Sequence, residues 1–364
     1  MHYQEWFLEH RVGYEEVESQ RCIRFAYQPK ISLLVPAYHT SPQMLTELLE
    51  SVIRQTYENW ELCIAVGSMG DTQMEQILEQ YQKKDQRIRA QMLSANGGIS
   101  GNTNAALAMA DGEFCALLDH DDLIEPDALF EVVKVLQDQK TDIVYTDEDK
   151  VNETLTEYSD PNFKPDFSLD LLRSQNYITH LFVVRTSILK QIGGFRKEFD
   201  GAQDYDVILR CAEQAEKIAH VPKILYHWRM IDGSTASDPE TKMYCYEAGR
   251  NAIAEHLKRE GIKATVEHAR LLGRYHVVYE LEQHPLLTVV IAQTETDEQE
   301  KIRQTVLEHG GYQNCEFLYV NESDCVSAYN KAAKQAKGDY FLFINGKIES
   351  RTEDSVKEML ALCM

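Results

Sequence analysis

The sequence predicts an α/β fold, a doubly wound and mostly parallel sheet with flanking helices, followed by a partial repeat of the same pattern. Three observations predict it. Short continuous apolar runs alternate with segments whose apolar residues recur at helical spacing. The prolines, glycines and carboxylates that break the pattern come directly after the apolar runs, where an open parallel sheet gathers the ligand-binding ends of its strands. The pattern also begins again near residue 285.

The elements follow in order. Ile31 to Val35 is an apolar run ending at Pro36, as a strand covered on both faces requires. Ser41-Pro42 supplies an N-cap and a proline at the first helical position. Met44, Leu45, Leu48, Leu49, Val52 and Ile53 then fall on one face of a helix. Leu62 to Val66, Ile88 to Leu93 and Phe114 to Leu118 read as strands. Helices are expected over Met74 to Tyr81 and from Gly97-Gly98 to Met109. A helix from Asp127 to Gln139 and a strand from Ile143 to Tyr145 lead into Thr146-Asp147-Glu148-Asp149. There the alternation breaks. Residues 150–232 hold a strand at His180 to Val184, a helix stop at Gly193-Gly194 and a helix from Asp204 to Glu216. This segment is expected to close over the sheet edge as an acceptor-binding lid.

The second copy is read from three echoes. Pro285-Leu-Leu-Thr-Val-Val-Ile repeats Pro29-Lys-Ile-Ser-Leu-Leu-Val, and Tyr312-Gln-Asn-Cys-Glu repeats Tyr57-Glu-Asn-Trp-Glu. Gly338-Asp-Tyr-Phe-Leu-Phe-Ile repeats Gly112-Glu-Phe-Cys-Ala-Leu-Leu. Residues 285–364 thus resemble the front half of another such domain, as part of a longer tandem protein or as a degenerate module. Asn345-Gly346-Lys347-Ile348 replaces Asp119-His120-Asp121-Asp122 there, so no metal site is expected in this copy.

Composition narrows the function. At 364 residues two units are expected, with 43% hydrophobic and 26% charged residues as in ordinary globular chains. A net charge of -22 argues against a nucleic-acid partner and against docking of the whole protein onto anionic lipid by charge. No apolar run reaches the ~20 residues of a membrane-spanning helix. Residues 1–20 have no signal-peptide core. The eight cysteines form no CxxC pair, and several, such as Cys115, lie in apolar runs. Free buried thiols in a reducing cytoplasm are expected.

The residues suited to chemistry are acidic. Asp119, Asp121 and Asp122 follow one strand, and Asp147, Glu148 and Asp149 another. Carboxylates packed together repel, and oxygen-only ligation suits Mg²⁺ or Mn²⁺, which also bind diphosphate. A lone Asp-x-Asp is usually a solvated turn. This one follows a buried strand and adjoins Gly97-Gly98-Ile99-Ser100-Gly101-Asn102, a helix entry whose amides suit an anion.

The ordered set Val35-Pro36-Ala37-Tyr38, Gln55-Thr56-Tyr57-Glu58-Asn59-Trp60-Glu61, Asn96-Gly97-Gly98-Ile99-Ser100 and Leu118-Asp119-His120-Asp121-Asp122 resembles family 2 glycosyltransferases of the GT-A fold. Tyr145-Thr146-Asp147-Glu148-Asp149-Lys150, Phe163-Lys164-Pro165-Asp166, Gln175-Asn176-Tyr177-Ile178, Gly193-Gly194-Phe195, Gln203-Asp204-Tyr205-Asp206 and Leu225-Tyr226-His227-Trp228-Arg229 extend it over residues 29–236. The resemblance is to the branch that builds bacterial surface polysaccharides, including rhamnose-containing O-antigens.

That resemblance implies an inverting hexosyl or deoxyhexosyl transferase assisted by Mn²⁺ or Mg²⁺. The donor would be a nucleotide-diphosphate sugar and the acceptor a glycan or undecaprenyl-linked saccharide. The implied place is the cytoplasm, peripheral to the inner membrane face. Asp204 would be the general base, although helix capping is its simpler role. Pro36, Ala37, Tyr38, Asn96, Gly98, Asp119, His120 and Arg229 would bind the nucleotide sugar. Asp121 and His227 would ligate the metal, His227 being equally readable as a satisfied interior histidine. The family's acidic pair after the second strand is replaced by Val66-Gly67-Ser68, so its carboxylate contact with the base is either missing or supplied from elsewhere, with Asp71 one candidate. The implied division is a helical extension (1–28), a catalytic domain (29–236), a helix and connector (237–284) and a degenerate second domain (285–364). Two other functions fit less well. A nucleotidyltransferase would carry a basic Gly-rich loop, absent from residues 36–42, and a non-catalytic interaction module fits the second copy better than the first.

Overall fold

Strands that are apolar at every position must be covered on both faces, and they form the middle of one sheet. In a computed structural model, which describes residues 2–231, 243–292, 296–320, 325–345 and 353–364, β1 (Ile31–Ala37) and β2 (Trp60–Val66) are buried throughout. The chain folds into two compact units, residues 1–259 with 266–276, and residues 260–265 with 277–364.

The first unit begins with helices α1 (Tyr3–His10) and α2 (Tyr14–Cys22). After β1, α3 (Pro42–Ile53) starts where Ser41 Oγ accepts from Met44 N at 3.2 Å. Then come β2, α4 (Thr72–Lys84), β3 (Ile88–Met92), α5 (Gly98–Met109), β4 (Phe114–Leu117), the short β5 (Leu123–Ile124) and α6 (Ala128–Val135). The remainder is β6 (Thr141–Asn152), β7 (Tyr158–Asn162), α7 (Leu169–Ser174), β8 (Phe182–Arg185), α8 (Thr186–Gln191), α9 (Gln203–Ala212), β9 (Lys217–Met230) and α10 (Met243–Arg259). The sheet order is β3-β2-β1-β4-β8-β6-β9-β5, with β7 on β6.

β1, β2, β3 and β4 run parallel. β8 is antiparallel to both β4 and β6, β9 runs parallel to β6, and β5 is antiparallel to β9. The sheet is therefore mixed. The carboxyl ends of β1 and β4 present Pro36 and Asp119 to one cleft. β9 then threads past the residues that follow β4.

Two differences from the sequence expectations have physical reasons. Residues 150–232 do not form a lid, because β8 and β9 pair inside the sheet itself. The strand expected to stop at Tyr145 continues to Asn152. Its carboxylates Asp147, Glu148 and Asp149 are buried and hydrogen-bonded, so they do not force the chain into solvent.

Strands β10 (Ala264–His268) and β11 (Tyr275–Tyr279) form a small sheet. The second unit centres on β12 (Leu287–Ala292), which pairs in parallel with β13 (Cys315–Val320) and β14 (Tyr340–Asn345). Helices α11 (Thr296–His309), α12 (Cys325–Gln335) and α13 (Ser355–Leu362) complete it.

Its contacts repeat those of the first unit one by one. Tyr57 Oη donates to Pro29 O at 2.7 Å, and Tyr312 Oη donates to Pro285 O. Asn59 Nδ2 donates to Gln28 O and Asn314 Nδ2 to His284 O, each at 2.9 Å. Gly112 N donates to Ser32 Oγ at 2.9 Å and Glu61 Oε1 at 3.1 Å. Gly338 N donates to Thr288 Oγ1 at 3.0 Å and Glu316 Oε1 at 3.2 Å. Gly346, Lys347 and Ile348, the expected replacements of the carboxylates, lie outside the described residues. Among the described residues no helix is long and apolar enough to cross a membrane.

Glu61 is a buried carboxylate near the start of β2, and it holds three strand ends together. It accepts from Lys30 Nζ at 2.7 Å, Ser32 Oγ at 2.6 Å, Arg89 Nη1 at 3.1 Å and Asp111 N at 2.7 Å. Burial pushes its pKa up, but the donors from Lys30, Ser32, Asp111 N and Arg89 overcome this and hold it at about 2. A depressed carboxylate contributes stability that is complete above its unfolded pKa of ~4.3 and lost as pH falls toward the folded value. Glu61→Gln should therefore cost on the order of 2 kcal/mol near neutrality. The gap between mutant and wild type should shrink between about pH 4 and 2 in urea titrations. A gap independent of pH would show that the Glu61 charge does not matter.

Candidate active site at the sheet ends

The turn after β4 is fastened by β9. Asp122 is fully buried, and Tyr226 Oη donates to its Oδ2 at 2.5 Å while Arg229 N donates to its Oδ1 at 2.8 Å. Arg229 Nε donates to Asp121 O at 2.7 Å and Nη1 to Glu153 O at 3.0 Å, while Nη1 pairs with Glu47 at 2.7 Å. The Arg229 side chain is completely buried in these contacts. Its Nη2 is buried without a hydrogen-bond partner among the described residues. Arg229 braces the turn.

Within the turn Asp119 is the open carboxylate, 42% exposed. His120 Nδ1 lies 3.9 Å from Asp121 Oδ1, with both side chains partly exposed. Burial raises the pKa of Asp121 and, more strongly, that of Asp122, and neighbouring carboxylates add to both shifts. Negative charge is thus under-compensated here, which suits a cation.

The carboxylates of β6 serve the scaffold instead. Asp147 Oδ1 accepts from Lys164 N at 2.9 Å and lies 2.7 Å from His220 Nε2. Glu148 accepts from Thr179 Oγ1 at 2.7 Å, His180 N at 3.0 Å and Asn162 Nδ2 at 3.1 Å. Asp149 accepts from Tyr3 Oη at 2.6 Å and lies 2.5 Å from His227 Nδ1. The two acidic runs therefore do not form one cation cage.

His227, expected as a metal ligand, is also held by carboxylates. Its other nitrogen, Nε2, is 3.0 Å from Glu125 Oε1, and Glu125 in turn pairs with Arg11 at 2.6 Å. Both ring nitrogens are occupied by carboxylates. Burial would lower the His227 pKa, but the bonds to Asp149 and Glu125 push it up to about 9. The N-terminal helix is locked onto this chain through Tyr3, Arg11 and the Phe7 ring, 5.3 Å from the imidazole.

The groups that gather closely enough for a divalent ion are Asp119, Asp122 and His180, with one ligand atom from each within 4.8 Å of the others, although both Asp122 oxygens already accept hydrogen bonds. The Nδ1 of His180 is buried without a hydrogen-bond partner, as an incompletely used site would leave it. Asp121 is not part of this trio. Asp119 and His180 open into a cleft of about 180 Å³ that Pro36, Ile99, Thr103, Gln203, Asp204 and Trp228 also line.

Asp204 reaches this cleft from the first turn of α9, far from Asp119 in sequence. Asn176 Nδ2 donates to its Oδ2 at 2.8 Å. Burial raises its pKa, and His180 and Asn176 pull the other way. Asp206, two residues on, is fully buried between Arg196 and Arg210, each 2.5 Å away. It belongs to the core.

The residues expected to bind nucleotide are placed unequally. Pro36 lines the cleft, Ala37 is buried, and Tyr38 is 46% exposed beside His39. Asn96 Oδ1 accepts from Gly98 N and Asn102 Nδ2, both at 3.0 Å, so Asn96 shapes the loop. The α5 N-terminus was expected to receive an anion. It already holds one, because Asp200 Oδ1 accepts from Ser100 N at 3.3 Å and Ser100 Oγ at 2.5 Å. Gly98, at φ +74, leaves room for that carboxylate, since a Cβ would lie 2.8 Å from Asp200 Oδ2. The missing acidic pair after β2 is explained likewise. A Cβ at Gly67 would lie 2.6 Å from Asn102 Nδ2, and Asp71 is occupied in accepting from Met74 N at 3.0 Å.

Sequence reasoning missed His180, Asp200, Asn176 and Glu125 as members of this region. His180 and Asn176 stood in or beside a quoted motif but carried no periodicity signal. Asp200 and Glu125 act through contacts more than 100 residues distant in sequence or close to it.

Residues 32–193 match the family model described as "Glycosyl transferase family 2". An uncharacterized protein of Sinorhizobium fredii is 38% identical over 94% of this chain and 42% of its own length. The O-antigen biosynthesis protein RfbC of Myxococcus xanthus is 31% identical over 90% of this chain and 28% of its own. The chain thus spans less than half the length of these curated relatives. The structure of S. aureus TarS 1-349 in complex with UDP-GlcNAc superposes with a TM-score of 0.50 at 25% identity, over 63% of this chain and 66% of that one. The fold is of the GT-A type, and residues 32–193 are similar to family 2 glycosyl transferases.

The buried His227 pair gives a signed expectation. A histidine whose folded pKa is raised stabilises fully below its unfolded pKa of ~6.5, and the stabilisation is lost as pH rises through the folded value. His227→Gln should therefore be destabilised relative to wild type at pH 6. The two proteins should converge as pH rises past about 9, read by thermal denaturation. A difference that grows with pH would contradict a charged His227.

Proposed function

We propose that this protein transfers a sugar from a nucleotide-diphosphate donor to a growing surface polysaccharide or lipid-linked glycan, with inversion at the anomeric carbon. One observation carries the reading: Asp204 and Asp119 face one cleft from different halves of the first unit. That separation suits a base for the acceptor on one side and a diphosphate site on the other. The family match, the O-antigen relative and the UDP-GlcNAc complex of the TarS fold support it. The acceptor would be engaged at the inner membrane face.

In this reaction Asp204 accepts the proton of the acceptor hydroxyl as the oxygen bonds to the anomeric carbon and the nucleoside diphosphate departs with the electron pair of the broken bond. A divalent ion, Mn²⁺ or Mg²⁺, would be held by Asp119 and its neighbours and would supply charge stabilisation to the diphosphate. Asn176 holds the Asp204 carboxylate toward the cleft. Pro36 and Tyr38 would flank the nucleoside. The raised pKa brings Asp204 closer to working pH, which strengthens a carboxylate base.

A second reading applies to the second unit. Its strand order and its Tyr-Pro and Glu-Gly contacts copy the first unit, and Asn345 stands in β14 where Asp119 follows β4. This supports a degenerate second copy that serves as an interaction or spacing module and not as a second catalytic centre.

Asp204→Asn should keep nucleotide affinity, measured by calorimetry with UDP and Mn²⁺, yet lose turnover by ~10²- to 10⁴-fold. In the wild type kcat/KM should fall on the acid side through a pKa above the ordinary aspartate value of ~3.9. Asp206→Asn should instead lower thermal stability, by about 3 kcal/mol. Normal turnover in Asp204→Asn would reject the assignment of the base.

A further inference from the structure

We propose that His180 ligates the divalent cation of this site together with Asp119, and that the turn at 178–180 is built to present its imidazole. The location of the site rests on the transferase reading. The ligand assignment rests on the side chains themselves.

His180 is only 9% exposed, and its Nδ1 is buried without a hydrogen-bond partner among the described residues. An ion at Nε2 leaves Nδ1 as it is, so the ligand assignment rests on the Nε2 geometry and on the fixed ring. Its Nε2 lies 3.7 Å from Asp119 Oδ2, too far for a hydrogen bond. Two ligands each ~2.1 Å from one ion stand roughly 3.0 Å apart at a right angle and at most about 4.2 Å when opposite. The observed gap falls inside that range. It is the spacing of two atoms that share an ion.

The ring is also held in one orientation. It stacks on Tyr226 at 4.5 Å with 12° between planes, and Trp228 meets it edge-on at 5.8 Å. Tyr226 is itself fixed by its bond to Asp122. Both Asp122 oxygens already accept hydrogen bonds, so Asp122 supports the ligands from behind. The backbone of the turn is clamped separately. Glu148 accepts from Thr179 Oγ1 and from His180 N, and the buried Lys164 ammonium donates to Ile178 O at 2.6 Å and to His180 O. A buried ion pair spent on two carbonyls and one amide is a large investment for a turn whose side chain then binds nothing.

One imidazole and one carboxylate, with the remaining positions for water and diphosphate oxygens, form a mixed nitrogen and oxygen set. Such a set favours a transition ion such as Mn²⁺ over Ca²⁺. His180 is then the nitrogen ligand that His227 was expected to supply.

The test uses the full chain freed of metal, with Mn²⁺ as probe and the free-ion paramagnetic resonance signal as readout. His180→Phe keeps the ring stack on Tyr226 and removes both nitrogens. It should lose Mn²⁺ affinity by about tenfold or more while its melting temperature and its metal-free UDP affinity stay at the wild-type values. His180→Cys should bind Cd²⁺ with a thiolate-to-metal absorption band that His180→Phe lacks. Equal Mn²⁺ affinity in wild type and His180→Phe would overturn the proposal. A wild type that binds Mn²⁺ through His180 but no nucleotide would support the ligand and count against the transfer reaction. A wild type that binds neither would overturn both.

Discussion

The pairing of β9 with two acidic segments is the constraint on which the site depends. Residues 226–229 lie against β6 on one side and against β5 on the other, in register Glu148↔Tyr226, Asp149↔His227 and Leu123↔His227. Asp122, Glu125 and Asp149 are all buried around that stretch. Each finds its donor on it or through it: Tyr226 Oη and Arg229 N for Asp122, the two ring nitrogens of His227 for Asp149 and Glu125. A slip of one residue in β9 would turn Tyr226 and His227 to opposite faces, taking Tyr226 from Asp122 and leaving Asp149 and Glu125 with only Tyr3 and Arg11. The register is therefore set by charge as much as by the apolar pattern.

From that fastening the geometry of the open groups follows. Asp119 can stay exposed because Asp122 and the Asp121 carbonyl carry the turn's attachment. His180 is placed by Glu148 and Lys164, which are themselves the next residues of the same polar layer. Asp204 comes from α9, which is anchored by the buried Asp206 between Arg196 and Arg210. In each case a buried, fully bonded acid stands beside an open one: Asp122 beside Asp119, Asp206 beside Asp204. The bonded member fixes the backbone and the open member meets the cleft. Neighbouring aspartates in one motif thus have opposite tasks, and the motif alone does not say which is which.

That explains how far the sequence could be read. The strands β1 to β4 and the helices between them were legible because apolar runs and capping residues act locally; Ser41 and Gly97-Gly98 start helices where they stand. The motif residues also converge, with Pro36, Asp119 and Asp204 on one cleft. What was not legible depended on distant partners. His227 looked like a ligand until Asp149 and Glu125 were seen to occupy both its nitrogens. Gly98 looked like part of an anion site until Asp200, a hundred residues on, was found to fill it. β6 looked finished at Tyr145 because polar residues followed, and only their partners Lys164, His180 and His220 make burial tolerable.

The second unit separates scaffold from chemistry. Its central strand, the tyrosine bonded to the proline carbonyl, and the acid bonded to the glycine amide all recur with the same partners as in the first unit. None of those recurring contacts involves Asp119, Asp122, His180 or Asp204. Glu61 and Glu316 tie the entry to β4 or β14 into the central strands from the side opposite the site, so this part of the fold holds whatever residues follow the strand. Register places Asn345 at the end of β14 as Asp119 stands beyond β4. An amide there brings no negative charge, and nothing in the shared scaffold would penalise that exchange. The half-sheet can therefore be copied and kept while its acids drift, whereas in the first unit the buried acids around β9 bind the fold and the site into one polar layer.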